Sequence, residues 1–162
     1  MKQYLAMMIG CCLFLPIMFG CNQHHENNFN DAASISFADD LPVNPLLAKV
    51  ITTTIYPADS IMCTLYANEI AWMYASLHHD FNYPKGSELY EVTWRQKPDS
   101  VWFGANIPKE IIMVECLTFI DAELPTYDSY SGDPLKKDVF HNSDHFTKRI
   151  KEIVSQRMAV SP

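Results

Sequence analysis

The stretch from Glu88 to Arg95 alternates strictly, with Tyr90, Val92 and Trp94 on one side and Leu89, Glu91 and Thr93 on the other. A period of two belongs to an extended strand, because successive side chains point to opposite faces of a sheet. Similar runs flank it. Leu47 to Tyr56 is rich in β-branched residues and reads as a strand. Pro57-Ala58-Asp59-Ser60 is a turn, and Ile61 to Tyr66 alternates again. Ile111 to Ile120 is the longest strand candidate, apolar on both faces except at Glu115. Strands joined by such short links pair antiparallel.

Two stretches switch to a helical period. Asn68 can cap a helix from Glu69 to about His78, with Ile70, Met73, Tyr74 and Leu77 as its apolar face. Ser143 can cap a second, from Asp144 to about Ala159, with a stripe of Phe146, Ile150, Ile153, Val154 and Met158. Between these elements, Lys97-Pro98-Asp99 breaks the third strand, Val101 to Ala105 is a short apolar run, and Asp121 to Ser131 is turn-rich. The pattern predicts an α+β domain: a curved antiparallel sheet of about five strands with two main flanking helices.

The N-terminus addresses a different question. Lys2 is followed by an apolar run from Tyr4 to Phe19, then Gly20 and Cys21. A short apolar run behind a positive charge is a secretory signal. It falls short of the roughly 20 residues a membrane span needs. A small residue followed by cysteine is similar to the bacterial lipobox, although Met18 and Phe19 are bulkier than its usual pattern. That likeness implies a signal peptide over 1–20, lipid attachment at Cys21, and a place in the bacterial cell envelope. It further implies an outer-membrane anchor, with the domain facing the periplasm or the cell surface. The alternative is an uncleaved anchor helix. Residues 22–44 are rich in Asn, Asp and Ser, without a sustained period, and read as a flexible tether. The domain is expected over 45–162.

Composition excludes one class of partner. The formal net charge is −7, and removing residues 1–20 takes away Lys2 and no acid. Nucleic-acid binding needs clustered Lys and Arg, so it is excluded. Cys63 and Cys116 are the cysteines of the domain; they read as small buried hydrophobes, with a disulfide as the alternative.

Four segments carry a family likeness, in this order along the chain. They are Met62-Cys63-Thr64-Leu65-Tyr66-Ala67-Asn68; Tyr83-Pro84-Lys85-Gly86-Ser87 leading into Val92-Thr93-Trp94-Arg95-Gln96; Trp102-Phe103-Gly104-Ala105-Asn106-Ile107-Pro108; and Ser155 to Pro162. Together they resemble the cytochrome P-460 domain family, in particular an envelope lipoprotein branch. The resemblance implies an antiparallel sheet with flanking helices, a tendency to form homodimers, and haem chemistry in the better-known members. Those members attach haem through a C-x-x-C-H motif near the C-terminus. This chain has no cysteine after Cys116, so that attachment cannot form.

Non-covalent haem would need an axial ligand. His141 and His145 are the nearest candidates, but a solvated helix start is the simpler reading of both. His24-His25 and His78-His79-Asp80 likewise read as a tail and a helix end. Trp94, Trp102 and Phe103 would line a ligand pocket or belong to ordinary core, and core is the simpler reading. The expectation is a lipid-anchored, non-catalytic accessory domain, with no metal and no haem cofactor. It would bind a small ligand or a haem-bearing envelope protein, with Trp94, Trp102 and His145 as the ligand-binding candidates. The alternatives are a redox or gas-binding protein with non-covalent haem, and a structural surface lipoprotein.

Overall fold

The computed structural model describes residues 30–121, 124–139 and 143–158, with the backbone alone at 143–145. Among these residues six strands lie side by side in sequence order: β1 (Lys49–Tyr56), β2 (Ile61–Ala67), β3 (Glu88–Pro98), β4 (Asn106–Thr118), β5 (Thr126–Ser131) and β6 (Lys136–Lys137). Every neighbouring pair is antiparallel, and the sheet is curved and unclosed. Helix α1 (Glu69–Leu77) joins β2 to β3, and α2 (Ser143–Val154) follows β6. The expected α+β architecture is present, with six strands in place of about five.

Each face of the sheet builds its own core. Leu65, Leu89 and Leu117 point to the helical side and pack with Ala71, Ile150 and Ile153. A bulge between Val50 and Thr52 turns Ile51 into the same cluster. Tyr90, Val92, Trp94, Val114 and Tyr130 point the other way. The chain's own N-terminal segment covers that second face, with Ala33, Ile35, Leu41 and Leu46 packed on it. Asn30 Nδ2 donates to the Pro108 carbonyl at 2.6 Å, and Leu135 N–H donates to Asp39 Oδ1 at 2.8 Å. Residues 30–44 are therefore part of the domain, which corrects the expected tether for those residues; 22–29 lie outside the described residues. Polarity misled there: Ser34, Ser36 and Asp39 spend their polar groups on local turns and on the sheet, while Ala33, Ile35 and Leu41 face inward and Phe37 stays exposed.

Three local expectations change. Strand β5 forms within a stretch that reads as turns, because Tyr127, Ser129 and Ser131 pair with Leu117, Glu115 and Met113 of β4. Pairing with a buried strand overrides the low strand preference of Asp and Ser. Strands β3 and β4 run on past the expected break, pairing out to Pro98 and Asn106. The apolar run at Val101 to Ala105 is the turn of this hairpin, not core. Helix α1 buries Ala71, with Trp72, Tyr74 and Ala75 half-buried beside it, while Ile70, Met73 and Leu77 are exposed. Small side chains at positions 71 and 75 let the helix approach the sheet closely, and Trp72 Nε1 donates to the Val50 carbonyl at 3.2 Å.

The entry to α1 follows the sequence reading. Asn68 Oδ1 accepts from Ala71 N–H at 3.0 Å, and its Nδ2 donates to the Gly86 carbonyl at 2.8 Å. Gly86 has φ +84°, and a Cβ there would stand 3.3 Å from Ile70 Cδ1. The cap thus ties the helix start to the turn that launches β3. Helix α2 ends at Val154, short of the expected Ala159, and its stripe packs as expected.

Trp94 is 4% exposed, donates from Nε1 to the Ala33 carbonyl at 3.0 Å, and meets Tyr66 edge-on. Trp94→Ala should cost about 3–5 kcal/mol in urea unfolding and should expose residues 30–44 to protease. A variant with unchanged stability would contradict its place in the core.

Candidate functional site

Glu91 on β3 and Glu115 on β4 stand directly opposite each other across the sheet, on the helical side. They are 2% and 1% exposed. Like charges facing each other across strands repel, and burial strips their water. Arg149 of α2 supplies the counter-charge. Its Nε and Nη2 donate to Glu115 Oε1 and Oε2 at 2.7 and 2.6 Å, and Nη2 also reaches Glu91 Oε1. Gln156 Nε2 donates to Glu91 Oε2, and Tyr127 O–H donates to Glu115 Oε1 at 2.6 Å.

Every carboxylate oxygen of the pair is therefore engaged. The guanidinium is held far above its ordinary pKa, first by the hydrogen bond to Glu115. The Tyr127 hydroxyl is also raised, by burial first and then by its bond to Glu115. This cluster has no free acid, base or nucleophile to offer a substrate. Its work is to hold α2, and the segment carrying Gln156, against β3 and β4.

The cysteines are equally closed. Cys63 and Cys116 are free and buried. Cys63 pairs across the sheet with Thr93, whereas Cys116 pairs with Tyr90, so they lie on opposite faces. Burial raises the Cys63 thiol and pushes Cys116 up to about 12, so neither is a thiolate at neutral pH.

An open groove of about 690 Å³ lies beside the ion cluster. Tyr83, Phe119, Ile150 and Val154 form its floor, and the exposed side chains of Phe81 and Leu124 form its lips. Lys85 and Lys151 stand at the rim. The floor is built by an aromatic row: Tyr74 to Tyr83 and Tyr83 to Phe119 each have ring centroids 5.5 Å apart. Burial pushes the Tyr83 hydroxyl up to about 12, so it stays a neutral donor. A smaller recess of about 200 Å³ shares Phe81 and Tyr83 and continues toward His78, His79 and Arg157. His78 stacks on Tyr74, and Asp80 accepts from the Tyr74 hydroxyl. Among the described residues no group of three His, Cys, Asp or Glu side chains is placed to hold a metal.

The sequence candidates do not converge on this groove. Trp94 lies in the core of the opposite face. Trp102 is 71% exposed on the β3–β4 turn, so it is not the core residue expected. His145 lies in the first turn of α2, with its side chain outside the described residues; His141 and Cys21 also lie outside them. The ion cluster did leave a trace in the sequence. Glu115 is the one charged residue inside an otherwise apolar run, and such a residue is buried only if paired. The groove left less trace, because Tyr83, Phe119 and Ile150 come from three separate elements.

No family model matches this chain, and no curated protein matches it in sequence.

Arg149→Met should cost about 3–5 kcal/mol near neutral pH, the range for stranding buried charges by removing one partner. Urea unfolding measures this. A loss well under that range would mean that the carboxylates are not held dry.

Proposed function

We propose that this chain is an acylated bacterial envelope protein whose domain is a non-catalytic binding module, without covalently attached haem. The groove between the turn at 81–85 and α2 carries the binding half of the reading. It has an apolar aromatic floor, two lysines at its rim and a volume suited to a small organic molecule or a short segment of a partner. The groove and the neighbouring ion cluster lack an activated acid, base or thiol, which favours binding over turnover. The envelope half rests on the sequence, on Lys2, the apolar run and Gly20-Cys21. Among the described residues no helix is long and apolar enough to cross a membrane, and residues 1–29 lie outside that statement. The likeness to the cytochrome P-460 family rests on motif order alone, and it supplies the haem-bearing envelope protein as one kind of partner.

Native mass spectrometry of protein extracted from its host envelope tests the binding half. Wild type should retain a small ligand that Phe81→Ala with Leu124→Ala releases, since both side chains are exposed and their loss leaves the fold intact. No retained species, or equal retention by the variant, would contradict the groove.

Two further outcomes check the rest. Cys21→Ala should move the protein from the membrane fraction to the soluble one or leave an uncleaved precursor, because acyl chains supply the anchor. Titrated haem should give no tight one-to-one Soret band; a band abolished by His141→Ala or His145→Ala would make this a haemoprotein instead.

A further inference from the structure

The end of the β3–β4 hairpin presents Val101, Trp102 and Phe103 to solvent, with exposures of 79%, 71% and 108%. Three consecutive large apolar side chains, all outside the core, form an unusual surface. A formed turn holds them there. Asp99 N–H donates to the Ala105 carbonyl at 2.9 Å, Asp99 Oδ1 accepts from Val101 N–H at 2.7 Å, and Gly104 turns the chain at φ +81° with open space around it. Behind the tip, Arg95, Lys97 and Lys109 are interspersed with Asp99 and Glu110, and Asp59 sits in the β1–β2 turn whose Ser60 carbonyl accepts from Gln96 N–H, so the stem carries charges of both signs. Glu110 is shared by Arg95 at 3.1 Å and Lys109 at 3.2 Å, and among the described residues no carboxylate pairs with Lys97.

We infer that this tip inserts into the interface of a membrane, with Trp102 and Phe103 among the acyl chains. Trp favours that boundary because its ring is apolar and its N–H is polar. The charged side chains behind the tip stay hydrated at the headgroups. A protein partner fits less well. The three side chains offer roughly 500 Å² in all, below the roughly 800 Å² per side of a stable interface. The tip is convex and needs a pocket in any protein partner, whereas a fluid interface closes around it. This inference does not depend on how the N-terminus is anchored.

The test uses the full chain mixed with vesicles of phosphatidylcholine and phosphatidylglycerol carrying brominated acyl chains, which quench tryptophan on contact. Trp102→Phe keeps the tip aromatic and removes its reporter, so the difference from wild type belongs to Trp102 whatever residues 1–29 do. Trp72 and Trp94 remain in both proteins. Wild type should be quenched, and the quenched fraction should fall by more than half in Trp102→Phe. Absence of quenching, or equal quenching in Trp102→Phe, overturns the inference. Lipid-free self-association that Trp102→Ser abolishes, without quenching, replaces the membrane with a second copy of this chain.

Discussion

Two carboxylates face each other across β3 and β4, and one guanidinium holds them there. Glu91 and Glu115 are fixed by strand register, so neither can leave without unpairing the two longest strands of the sheet. Arg149 is fixed by the apolar stripe of its own helix, where Ile150 and Ile153 enter the core beside it. The ion cluster therefore reads the register. A slip by one residue would send Glu91 to the other face and bring an apolar neighbour to Arg149. Apolar packing tolerates such a slip far better than a buried charge does. Replacing the three residues with apolar ones of similar volume can be neutral or stabilising, which points to specificity rather than net stability as the cluster's contribution. Tyr127 and Gln156 extend that specificity to β5 and to the segment after α2.

The groove depends on the same clamp. Its floor is shared between the sheet side, through Tyr83 and Phe119, and α2, through Ile150 and Val154. Docking of α2 thus creates the recess, and a shift of the helix would close or open it. Of the rim lysines, Lys85 before β3 pairs with Asp121 at 3.6 Å, and Lys151 lies in the last turn of α2.

What the sequence made legible follows from local period. The alternation of Glu88 to Arg95 sorted Trp94 and Leu89 to their correct faces, and the caps and turns placed α1 and the β1–β2 hairpin. What it hid was decided elsewhere in the chain. Strand β5 is polar and forms because β4 offers it a buried edge. Ala71 faces the core in place of Ile70 because contact distance, not hydrophobicity, sets how close α1 can come. In residues 30–44, Ala33, Ile35 and Leu41 meet an otherwise uncovered sheet face, while Phe37 and Val43 stay exposed. Trp102 is the instructive case: an aromatic run reads as core only if some element arrives to cover it, and at this hairpin turn none of the described residues does.

The ordered N-terminal segment changes the geometry of anchoring. Were Cys21 acylated, eight residues, 22–29, would lie between it and Asn30, where the described fold begins. Such a link spans at most roughly 30 Å when extended. The domain would then stay close to the bilayer, where even a weak contact is made at high effective concentration. The aromatic tip, inserted as inferred, would be a second contact of that kind and would orient the domain. A two-point attachment would fix which side of the domain faces solvent, and with it the direction from which a ligand enters the groove. The lipid anchor, the tip and the groove would thereby share a single orientation, although the three features come from different parts of the chain.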